Sequence, residues 1–104
     1  MFSKKRSNLL QRTHTFLVSR IVASPEDNKQ IKKNWQFTLS GSKIIICGPE
    51  RRAFGNMDRL AVITSPNNNK LIITPTKKMT KADLDLVKKV IQDWGPALEI
   101  EIVM

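Results

Sequence analysis

The stretch from Thr80 to Trp94 constrains this chain most, because only one kind of element fits it. Leu84, Leu86, Val87, Val90, Ile91 and Trp94 recur at helical spacing. At roughly 100° per residue they cover an arc of about 160°. Lys81, Asp85, Lys88, Lys89 and Gln92 fall on the opposite side, with Asp85 and Lys89 placed as an i,i+4 ion pair. Thr80 is a good N-cap, and Asp83 follows three residues on as a short relative of the capping box. Gly95 ends the helix and Pro96 prevents its continuation. An apolar arc this wide predicts a helix pressed onto a sheet. Leu98, Ile100 and Ile102 then alternate with Glu99 and Glu101, the period of a half-buried strand. The helix therefore returns the chain to the sheet that it covers.

Other strands follow from composition and turn signals. Trp35, Phe37 and Leu39 alternate with Gln36, Thr38 and Ser40, Gly41-Ser42 suits a two-residue II′ turn, and Lys43 to Cys47 returns. The returning strand is nearly all apolar, which places it inside the sheet. Leu60–Thr64 and Leu71–Thr74 form a second hairpin around the polar connection 65–70. Thr13 to Val22 is rich in β-branched and aromatic residues and predicts a further strand. Ser24-Pro25-Glu26-Asp27 is a helix-start signal for a short helix to about Lys33. Gly48-Pro49 and Gly55-Asn56 bracket a loop from Gly48 to Arg59. The expected fold is α+β: a mostly antiparallel sheet of five to six strands, with one main helix on one face. At 104 residues one domain is expected, residues 9–104, preceded by a flexible basic arm, residues 1–8.

Charge is the main functional clue. The formal net charge is +9 and the pI about 10.1. Residues 1–56 carry eleven Lys and Arg against three acids, a balance of +8, and residues 57–104 carry seven against six. Such asymmetry points to a polyanionic partner. The basic residues placed to meet phosphates are Lys4, Lys5 and Arg6 in the arm, with Arg12, Lys32, Lys33, Lys43, Arg51, Arg52 and Arg59 further on. Arginine suits bidentate phosphate contact and stacking on bases. Phe54 lies beside the arginine pair, and Trp35 and Phe37 share one face of their strand, so these three are candidate stacking groups. Trp35 and Phe37 serve that role on the open face of the sheet, and serve the core if they point at the helix.

Several chemistries find no support. One cysteine, Cys47, excludes an internal disulfide and a cysteine-built zinc cage. It reads as a small buried hydrophobe. The single histidine, His14, reads as a surface or edge residue, and no third group or motif joins the two as a nucleophile pair. Gly-rich phosphate loops, metal-binding helices, a nucleophile elbow and the glycine–aromatic motif of the common RNA-recognition module are absent. No cofactor, metal or enzymatic activity is expected. No run reaches the ~18–20 apolar residues of a membrane span.

The expected function is nucleic-acid binding, with RNA or single-stranded DNA ahead of duplex DNA. The alternative is an interaction or assembly protein, whose basic surface meets an acidic protein or an anionic membrane. Its edge strand, Leu98–Val103, would pair with a second copy to form a homo-oligomer. A soluble intracellular location is expected. The basic, acid-free start before Glu26 also fits a mitochondrial presequence.

Overall fold

A computed structural model describes residues 4–22, 35–51 and 57–103. The side chains of residues 4–8, 22, 49–51, 57 and 58 are not included in that description. The architecture is α+β, with a five-stranded, mostly antiparallel sheet and two helices. In chain order these are α1 (Lys4–Leu17), β1 (Gln36–Ser40), β2 (Lys43–Arg51), β3 (Met57–Asn67), β4 (Lys70–Pro75), α2 (Lys81–Trp94) and β5 (Glu99–Ile102). A π-helical turn, Val18–Val22, extends α1. The strands lie side by side in sequence order, with β4 and β5 parallel and every other pair antiparallel. The β4–α2–β5 passage is the one crossover, as two parallel neighbours require.

α2 forms where expected, with the expected cap and terminator. Thr80 caps the helix, its hydroxyl accepting from Asp83 N–H at 3.1 Å. Leu84, Val87, Val90 and Ile91 are buried. At the other end Gly95 N–H donates to Ile91 O at 2.8 Å. Leu98 packs closely on Gly95, and a Cβ there would stand 2.7 Å from Leu98 Cδ1, so a larger residue would make that side chain shift. The expected Asp85–Lys89 pair is corrected: Lys89 meets Asp93 instead, at 3.8 Å and well exposed. Surface pairs of this kind contribute little.

Residues 13–22 are helical, so the strand expected there is corrected, and the sheet has five strands. Leu9, Leu10, Thr13, Leu17 and Ile21 are buried along one side of α1 and its π turn. Thr13 is tolerated because its hydroxyl donates to Leu9 O at 2.7 Å, within the helix itself. Burial of that stripe outweighs the modest strand preference of the β-branched residues. The helix begins at Lys4, so the boundary drawn after residue 8 falls inside α1. The short helix expected at 24–33 lies outside the described residues.

One face of the sheet carries the core. Phe37, Ile46 and Ala61 form one cross-strand row, and Leu39, Ile44, Ile63, Ile73 and Ile102 form the next. These residues join Leu9, Leu17 and Ile21 of the α1 segment and Val87 and Ile91 of α2 in a single cluster. Both helices therefore cover the same face. The other face presents Thr38, Ile45, Val62 and Thr74 as cross-strand neighbours, with Lys43, Cys47 and Arg59 beside them.

The Gly48–Arg59 loop is shorter than its turn residues imply. Strand pairing continues to Arg51 and resumes at Met57, with register shifts on either side of Cys47. Ile46 faces Ala61 while Cys47 faces Arg59, so Leu60 is an extra residue in β3. This bulge lets the adjacent Leu60 and Ala61 both be buried. Thr76 supports it, donating from N–H to Leu60 O at 2.8 Å and from its hydroxyl to Arg59 O at 2.8 Å. The first hairpin turns as expected, with Gly41 at φ 61°. The second turns at residues 68 and 69, and a further register shift between Thr64 and Asn67 accommodates Pro66.

The two sheet edges differ. Along β1, His14 Nε2 donates to Phe37 O at 2.9 Å, so α1 occupies part of that edge. At the other end Lys70 reaches Glu101 at 2.7 Å and Glu99 at 3.8 Å. The hydrogen bond to Glu101 holds the Lys70 ammonium above its ordinary range; desolvation opposes this, and the charges of Glu101 and Glu99 add to it. A raised lysine pKa stabilises fully below the unfolded value of about 10.4, and that contribution is lost as pH rises through the folded value. Lys70→Met is therefore expected to lose less stability than wild type between neutral and strongly alkaline pH. Melting curves in stepped alkaline buffers test this, and a constant gap between the two proteins would count against the pairing.

Candidate nucleic-acid interface

The expected site residues divide into four groups. Arg12 is exposed on α1, and Lys43 and Arg59 are exposed on the open sheet face. Lys4, Lys5 and Arg6 lie in the first turn of α1, and Arg51 closes β2, but their side chains are outside the description. Lys32, Lys33, Arg52 and Phe54 lie outside the described residues. Trp35 and Phe37 are each 6% exposed and pack edge to face, with ring centroids 6.2 Å apart, in the core. A base has no access to them, so their place on an open stacking platform is corrected. The alternation that brought them together also turned them toward the helices. Among the described residues, the open sheet face carries no aromatic side chain.

The accessible aromatics are elsewhere, at the seam where α1 meets the end of α2. Phe16 and Trp94 are half-buried and stacked, with centroids 4.9 Å apart and planes 16° from parallel. Such offset stacks are favourable beyond the area they bury. The Arg20 guanidinium carbon lies 5.6 Å from the centre of the Phe16 ring, within cation–π range. Arg12, Phe16 and Arg20 are spaced i, i+4, i+8 and so follow one flank of the helix.

Two open depressions share the stacked pair as a wall. One, of about 520 Å³, is completed by Gln11, Arg12 and Thr15. The other, of about 290 Å³, takes in Arg20, Lys89 and Asp93. Asp93 is the acid of the second depression, and Lys89 stands against it. Arg12 and Arg20 make no ion pair among the described residues.

No family model, curated protein or solved structure matches this chain. Its chemistry must therefore be argued from its own side chains. Among the described residues no group of three or more metal-ligating side chains comes together. Cys47 is half-buried on the open face, while His14 is bonded to Phe37 O along the β1 edge. No helix of the described residues is long and apolar enough to cross a membrane.

Sequence reasoning selected Arg12 but missed Phe16, Arg20 and Trp94 as surface groups. The i, i+4, i+8 spacing of Arg12, Phe16 and Arg20 is a signal only once the segment is known to be helical. In sequence Trp94 is simply the last residue of an apolar stripe.

Proposed function

We propose that this chain is a small nucleic-acid-binding protein that takes RNA or single-stranded DNA ahead of duplex DNA. The observation that carries the reading is where the charge stands. Arg12, Arg20, Lys43 and Arg59 are exposed without an ion-pair partner among the described residues, whereas Lys70 and Lys89 are taken up by acids. The net charge of +9 leaves basic groups that the acids of the chain are too few to neutralise. Phosphate contacts and counterion release then supply most of the affinity.

The test is fluorescence anisotropy with labelled single-stranded RNA, single-stranded DNA and duplex DNA, each titrated with salt. For single strands log K falls by about 0.7 per phosphate neutralised for each unit of log salt, so a slope between about −2 and −4 is expected. Absence of binding at low salt would overturn the reading.

A second reading, assembly, draws on the β5 edge. β5 pairs only with β4 among the described residues, and Val103 beside it is 43% exposed. Glu99 and Glu101 put charge along that edge, which restrains strand addition. A mass that rises with concentration in light scattering, together with no affinity for nucleic acid, would favour assembly instead.

A further inference from the structure

We propose that the α1–α2 seam is a base-stacking site for single-stranded nucleic acid, with Trp94, backed by Phe16, as the platform and Arg12 and Arg20 as phosphate contacts on either side. This rests on the nucleic-acid reading above and adds where the strand lies and how it is held.

Three observations converge on the seam. The first is aromatic: Phe16 is stacked on Trp94 and approached by Arg20, which leaves Trp94 as the ring to meet a base, and Trp94 walls both depressions. Base–aromatic stacking needs an accessible ring and tolerates any base, because every base has a π-face. The second is electrostatic. Arg12 belongs to one depression and Arg20 to the other, so a strand crossing the stack meets an exposed guanidinium at each end. Guanidinium groups can pair with a phosphate through two donors and can also stack on a base. The third concerns the acid: Asp93 would repel a phosphate, but it is met by Lys89. Gln11 and Thr15 add polar groups in the larger depression that can bond to base edges.

The same features explain a preference for single strands. In a duplex the bases stack on one another and offer only their edges in the grooves. An unpaired base can turn its face to a ring, as single-strand binders exploit. The open sheet face offers Lys43 and Arg59 but no aromatic among its described residues, so it lacks the second half of this chemistry.

The experiment uses the full chain and a fluorescein-labelled oligouridylate of about 15 nucleotides, near the upper span of a small single-strand site. Trp94→Ala is expected to weaken binding about tenfold, with little change in the salt slope, because stacking releases no counterions. Trp94→Phe keeps a ring against Phe16 and should recover most of the affinity. Arg12→Ala with Arg20→Ala should weaken binding and reduce the salt slope by about 1.4, or two phosphates. Lys77→Ala with Lys81→Ala, at the far end of α2 from Trp94, should leave the slope nearly unchanged, and Lys43→Ala with Arg59→Ala tests the open face.

The outcomes separate this inference from the reading beneath it. If wild type binds but the seam variants bind equally well, the seam is not the site, and nucleic-acid binding by another surface stands. If the Lys43/Arg59 pair alone lowers the slope, the open face is the interface. If wild type does not bind, both fall. Should Trp94→Ala fail to fold, the exposed Arg12/Arg20 pair decides the matter alone.

Discussion

Ile63→Ala is expected to lower the stability of this protein by about 2–5 kcal/mol, the usual range for removing a large aliphatic side chain from a core. Ile63 sits in the middle strand of five and is fully buried. Its cross-strand neighbours Ile44 and Ile73 are also fully buried. β3 is paired on both sides, so its backbone has little freedom to collapse into the space left behind. Domains of this size have roughly 5–15 kcal/mol in total, so the loss would be a large part of the whole. Urea unfolding should show a lower midpoint at an unchanged slope. Ile45→Ala is the matched control. Ile45 is on the neighbouring strand but faces the open side and is only half-buried. It should cost less than about 1.5 kcal/mol, because less area returns to water. Equal costs at the two positions would mean that the covered and open faces have been assigned wrongly.

Thr15→Pro should be destabilising by about 3 kcal/mol or more, although Thr15 is exposed. The residue is inside α1, with the π turn continuing beyond it. Proline there removes an N–H donor, and its ring collides with the carbonyl four residues back. A parallel Thr15→Ala variant loses no backbone bond and should be neutral or slightly stabilising. Circular dichroism and thermal melting of the two variants give the comparison. In an edge strand the proline would be far better tolerated, so a mild effect would restore the strand reading of this segment. The same variant should disturb the seam, because α1 carries Arg12 and Phe16.

Local signals along α1 conflict with its helical state. Its first turn holds Lys4, Lys5 and Arg6 and no acid, the wrong charge for a helix N-terminus. Thr13, Thr15 and Val18 give the segment a strand-like composition. Leu9, Leu10, Leu17 and Ile21 carry the helical spacing, but it competes with those local signals until a sheet exists for the stripe to cover. α2 had no such conflict: its cap, its stripe and its terminator agree. For the loop after Cys47, Gly48 and Pro49 signalled a turn, yet bulges absorbed both residues into the strand pair. Trp35 and Phe37 were legible as a pair on one face, but alternation alone does not say which face a helix will cover.

The sequence by itself determined the α+β class, the two hairpins, the capped helix α2 and the strong positive balance. Each of these rests on local chemistry: a turn that needs glycine, a cap that needs a hydroxyl, a period of two or of 3.6, a count of charges. The tertiary structure decided that residues 4–17 are helical, that Trp35 and Phe37 are core, and that Phe16 and Trp94, 78 positions apart in sequence, stack at the surface between two arginines. These depend on which apolar face meets which, and burial is a property of the assembled fold rather than of any window along the chain.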